Sequence, residues 1–104
     1  MDTAERFEKF HEDNPIVYQT LHRLAREWVA DHGRQKMGIR MLWETARWQI
    51  IRATRNVDYK MNDHYTGYYA RLLQMSDPVL DGLFEIRRSP ADSWAMAKMA
   101  SGPS

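Results

Sequence analysis

The residues with the clearest chemistry are Asn62, His64, Thr66 and Arg71, preceded by Arg52, Arg55 and Lys60. In the major groove, asparagine pairs bidentately with adenine and arginine with guanine. In helix-turn-helix proteins the second helix lies in that groove, and its first turns reach the base edges. A helix opening at Asn62 would carry Asn62, Asp63, His64, Thr66 and Gly67 in those turns, with Arg71 further along. Arg52, Arg55 and Lys60 stand just upstream, where phosphate contacts are expected, and a helix N-terminus itself attracts phosphate. Double-stranded DNA is the partner this pattern fits. Two features oppose it: Asp63 repels phosphate, and a connection from about 54 to 62 exceeds the usual three- or four-residue turn. The competing reading is structural, with Asn62 as an N-cap and Asp63 complementing the helix dipole.

Other chemistries find little support. The histidines are His11, His22, His32 and His64, none paired at the i, i+4 spacing of a helical zinc site, and cysteine is absent. No nucleophile elbow, phosphate-cradling glycine loop or dinucleotide fingerprint is present. We therefore expect no catalytic residue, no metal and no cofactor. A protein partner is the alternative to DNA. Seven methionines and four tryptophans are many for 104 residues. Methionine adapts to irregular partner surfaces, and tryptophan is a hot-spot type. Met41, Trp48 and Ile51 lie together on a flank of one predicted helix. Exposed, they would form a patch for a host protein or a second copy in a homodimer.

Composition bounds the rest. A chain of 104 residues has room for one domain, and 43% apolar with 12% aromatic residues is a folding composition. Residues 1–14 hold Asp2, Glu5, Glu8, Glu12 and Asp13 against Arg6 and Lys9, a net charge of −3. Residues 34–60 hold Arg34, Lys36, Arg40, Arg47, Arg52, Arg55 and Lys60 against Glu44 and Asp58, a net of +5. The overall charge of +1 hides this asymmetry. No apolar run approaches the ~20 residues of a membrane span, and the acidic start is unlike a signal peptide. A cytoplasmic location is expected, with no membrane partner.

The elements that must position these residues are helical. Residues 1–14 form an acidic N-terminal segment with the length for a short helix, whose Phe7 and Phe10 share a face. Asn14-Pro15 signals a helix start, and Val17, Leu21, Leu24, Ala25 and Trp28 make a stripe up to His32 before Gly33. A central helix is predicted over 39–54, with Ile39, Leu42, Trp43, Ala46, Ile50 and Ala53 inward. Residues 57–61 and 84–88 alternate apolar and polar, so a two-stranded ribbon is predicted between them. The helix from Asn62 to about Met75 would bury Tyr65, Tyr68, Tyr69, Leu72 and Leu73. Asp77-Pro78 restarts a short helix whose Leu80 packs back, and Phe84 closes the predicted core. Residues 15–88 are read as the helical core domain. Residues 89–104 are read as a C-terminal tail, with a helical turn or two near Trp94.

Phe10-His11-x-x-Asn14-Pro15-x-Val17-Tyr18 begins a longer pattern. It continues as Gly38-Ile39-x-x-Leu42-Trp43-Glu44-x-x-Arg47-Trp48, then Tyr59-Lys60-x-Asn62-x-x-Tyr65-x-x-Tyr68-x-Ala70-Arg71, and ends Phe84-Glu85-x-Arg87. This order resembles a family of short proteins encoded in phages and prophages, over about residues 7–88. The resemblance implies an accessory protein acting inside a bacterial host cell, on DNA or on a host protein. It brings no activity, ligand or site residue with it. The fold expected is a single, mainly α domain of four or five helices. Its order is helix-turn-helix or winged-helix-like.

Overall fold

In the computed structural model, which describes residues 2–101, the chain is built from helices. Helix α1 spans Thr3–Asp13, α2 Pro15–His32, α3 Ile39–Thr54, α4 Thr66–Ser76 and α5 Ala91–Ala100. Two short 3-10 turns, Asp63–Tyr65 and Pro78–Leu80, precede α4 and follow it. None of these helices is long and apolar enough to cross a membrane.

Each boundary has a local cause. Asp2 caps α1 by accepting the Glu5 amide at 2.8 Å. Pro15 opens α2, where its missing N–H costs nothing. Gly33 closes α2 at φ 63°, with its amide on the Val29 carbonyl, a backbone state most side chains avoid. Asn14 stands at the N-cap position of α2, but its side chain makes no capping bond there and turns the other way. Its Nδ2 donates to the Phe10 carbonyl and its Oδ1 accepts the Tyr59 hydroxyl at 2.7 Å. One residue thus ends α1 and ties down the connection after α3.

The predicted stripes meet in one core. Val17, Leu21, Ala25, Leu42, Trp43, Ala46, Ile50, Tyr65, Tyr68, Tyr69, Leu73, Leu80 and Phe84 are buried. Leu24, Trp28, Ile39 and Leu72 pack at its edge, half-buried, and Ala53 is exposed. The core extends past 15–88 at both ends. Phe7 of α1 is fully buried, and Ala91 and Ala95 of α5 are buried. Phe7 lies 4.9 Å from the rings of Tyr68 and Tyr69 and 5.1 Å from Trp94. The 89–104 segment is therefore a packed helix over Ala91–Ala100. Residues 102–104 of that expected tail lie outside the described residues.

The predicted ribbon is absent: neither 57–61 nor 84–88 forms a strand among the described residues. Their hydrogen bonds go elsewhere. The Phe84 amide donates to Gln74 Oε1, the Arg87 carbonyl accepts from Arg71, and the Leu83 carbonyl accepts from the Met37 amide. At 56–59 the turn closes on itself, with the Asn56 side chain accepting the Asp58 amide. Alternation of residue types was satisfied by side-chain partners on helices, not by a second strand.

Candidate functional site

Helix α4 is the most enclosed of the five. It packs against α3, α5 and the Pro78–Leu80 turn, and Tyr68, Tyr69, Ala70, Arg71 and Leu73 are all buried. Arg71 is 6% exposed and fully engaged. Its Nε and Nη2 donate to Asp92 Oδ1 at 2.9 and 2.7 Å, Nη1 to the Gly67 carbonyl, and Nη2 to the Arg87 carbonyl. The same guanidinium accounts for Gly67, where a Cβ would come within 3.3 Å of Arg71 Nη1. Arg71 is thus placed away from the surface on which a base reader must stand.

The turn before α4 is better placed. Asn62, Asp63 and His64 are exposed, and Thr66 is half-buried. Asn62 Oδ1 accepts the His64 amide at 2.9 Å, so the capping geometry is present. Thr66 Oγ1 donates to the Asp63 carbonyl. Asp63 accepts from the Trp43 indole at 3.0 Å and from Arg47 at 2.8 Å. Those bonds pin the end of the connection onto α3, and Arg47 offsets the Asp63 charge.

Arg52, Arg55 and Lys60 are exposed and pair with no carboxylate among the described residues. Arg55 ends α3 in the left-handed region, at φ 56° and ψ 29°. Glycine adopts that state at less cost. Arg52 lies over the Trp48 ring, 4.7 Å from its centroid.

Trp48 is 58% exposed and Met41 47% exposed, one full two-turn repeat apart on the outer face of α3. Ile51 is half-buried beside them. A second apolar surface was hidden in the sequence, because 89–104 reads as a tail. Met75, Phe84, Ile86, Met96 and Met99 line a groove of about 820 Å³ along α5. The signal that could have found it is Ala91–Ala100 itself, a run of alanine and methionine with few charges.

No family model, curated protein or solved structure matches this chain.

One polar cluster remains. Asp77 is buried between α2 and the Pro78–Leu80 turn. It accepts from Arg26 at 2.6 and 3.2 Å, from His22 Nε2 at 2.7 Å and from the Val79 amide at 3.0 Å. The Arg26 hydrogen bond, helped by His22 and Val79 and opposed by burial, brings its carboxyl down to about 2. An acid whose folded value is depressed stabilises the fold above its unfolded value, here 3.8. That contribution is lost as pH falls toward 2. Asp77→Asn is expected to flatten the dependence of unfolding free energy on pH between about 4 and 2. Denaturant titrations across that window check this; an unchanged slope would clear Asp77 of any part in acid unfolding. Among the described residues no three His, Asp or Glu side chains converge as a metal site would need.

Proposed function

We propose that this is a non-catalytic binding protein that docks a protein partner on the outer face of α3. The observation that carries this reading is Trp48, 58% exposed on a central helix whose opposite face holds the core. Exposed at that level, its ring adds little to folding. Stacked under Arg52 and flanked by Met41 and Ile51, it offers hot-spot residue types held in place before a partner arrives. With the resemblance to short phage-encoded proteins, the partner class is a protein of the bacterial host.

Trp48→Ala is the test. Once a partner is identified by crosslinking from a probe beside position 48, its affinity for the variant is measured by calorimetry. Loss of a central tryptophan costs about 2 kcal/mol or more, roughly thirtyfold in Kd, with the melting temperature nearly unchanged. A partner seated in the Met75–Met96–Met99 groove would ignore Trp48→Ala and be lost in Met96→Lys, which would overturn the α3 assignment.

Double-stranded DNA is the second reading, and one observation favours it. Arg55 holds a left-handed conformation at which glycine is cheaper, beside the unpaired cations Arg52 and Lys60. Contact would then run through those three residues with Asn62 and His64. The order α3, connection, α4 is that of a helix-turn-helix, but a buried α4 could not lie along the groove. Arg55→Gly separates the cases. It should keep or raise stability, and weaken a salt-sensitive gel shift with a shallower salt dependence if DNA is bound. No shift at low salt with the wild-type chain would end this reading.

A further inference from the structure

A third surface is used by neither reading. Between the start of α3, the start of α4 and residues 85–89 lies a pocket of about 590 Å³. Arg40, Arg87 and Lys36 line it, against a single unpaired carboxylate, Glu85. Arg71 also reaches its wall, but Asp92 offsets that charge. The pocket therefore has an excess of two positive charges. The guanidinium groups of Arg40 and Arg87 donate to no protein group among the described residues, so both remain free for a ligand. Ser89 Oγ accepts the Ala91 amide at 3.2 Å and keeps its own proton to donate. Thr66 does not, since its hydroxyl donates to Asp63.

The main chain adds to this. No side chain caps α3, because its N-cap is Gly38. The first-turn amides of a helix have no intrahelical partner, and Gly38, Ile39 and Arg40 at that end of α3 line the same pocket. Met37, Ile39, Ala70 and Ile86 supply an apolar wall. The volume lies in the range of small-molecule sites and far exceeds one phosphate group. We infer that this pocket binds an organic phosphate of mononucleotide size, with its phosphate on Arg40, Arg87, Ser89 and the α3 amides. Its apolar body rests against Ile39 and Ile86. The phosphate belongs either to a free nucleotide or to the 5′ end of a strand.

The test uses the full chain, titrated with 5′-AMP, adenosine and inorganic phosphate by calorimetry and amide chemical shifts. Saturable binding of 5′-AMP is expected, at least tenfold tighter than adenosine. Gly38→Asp is the decisive variant. At φ −75° and ψ 126° any residue fits, and a Cβ there meets nothing within 4 Å. The new carboxylate should cap α3 and hold or raise the melting temperature, while excluding the phosphate and weakening 5′-AMP at least tenfold. Arg40→Gln and Arg87→Gln should each weaken it severalfold, and Glu85→Gln should tighten it about twofold. Trp48→Ala should leave it unchanged, which separates this site from the α3 face. A 5′-phosphorylated tetranucleotide that binds like 5′-AMP, and only with its phosphate, would support the site and assign the strand end as source. Adenosine binding as tightly as 5′-AMP, wild-type affinity in Gly38→Asp, or no saturable binding would overturn the proposal.

Discussion

Replacing Arg71 with alanine is expected to lower the unfolding free energy by about 3 kcal/mol. The guanidinium is 6% exposed and joins three segments: α4 through the Gly67 carbonyl, the 84–88 stretch through the Arg87 carbonyl, and α5 through Asp92. Each hydrogen bond to a charged group contributes about 1.5–3 kcal/mol, and orphaned carbonyls cost about 1–3. The upper range for breaking a buried ion pair, about 5 kcal/mol, does not apply. The Asp92 side chain is 42% exposed and can turn to water. For a domain of this size the loss corresponds to more than about 10 °C in melting temperature. Arg71→Lys should recover only part of it, since an ammonium cannot span the same fork. Denaturant unfolding decides the matter. An unchanged midpoint in Arg71→Ala, joined to lost DNA binding, would return Arg71 to the role of a base reader.

Phe7→Ala should cost about 3–5 kcal/mol, the range for emptying an aromatic core site. Phe7 is fully buried, and its ring meets Tyr65, Tyr68, Tyr69 and Trp94, which come from two separate parts of the chain, the start of α4 and α5. Its loss removes the common contact between α1, α4 and α5. Glu8 then loses the geometry in which it accepts the Trp94 indole at 3.0 Å and pairs with Lys98 at 3.2 Å. Near-ultraviolet circular dichroism should report loosened aromatic packing, and thermal unfolding a large drop. A drop of under about 1 kcal/mol, typical of a surface site, would show that α1 is only laid on the domain. Phe10→Ala is the control: half-buried beside Tyr65, it should cost markedly less.

Much of the helical layout was legible along the chain. Helix periodicity is a local property, so the stripes of α2 and α3 and the Asn14-Pro15 and Asp77-Pro78 boundaries were readable from neighbours within a turn or two. Two tryptophans in one helix mark α3 as central, and Trp43 is buried as that requires, whereas Trp48 stands exposed on the outer face. Met41, Trp48 and Arg52 were legible for the same reason as the stripes, since they fall off the inner stripe of α3, while Arg55 and Lys60 lie past the end of α3 in a connection of polar and charged residues.

Tertiary structure decided the rest, wherever a side chain's partner lay far along the chain. Asn14 looks like a cap for the helix it precedes, yet its oxygen serves Tyr59, 45 residues away. Residues 57–61 and 84–88 alternate like strands, but Gln74 and Arg71 take hydrogen bonds of the 84–88 stretch, and 57–61 begins in a turn closed by Asn56. Ala91–Ala100 carries no strong amphipathic pattern, and it is Phe7, Tyr68 and Glu8 that seat Trp94, half-buried, at the edge of the core. Arg71 is the sharpest case. Arginine four residues beyond Gly67 reads as a surface cation until α5 brings Asp92 over it, and the charge that suggested a DNA contact becomes a strut inside the fold. The sequence by itself determined the helices up to α4 and the apolar stripes of α2 and α3, but not α5. Which charges remain free to meet a partner was decided by long-range packing, because burial and ion pairing depend on residues that sequence spacing does not bring together.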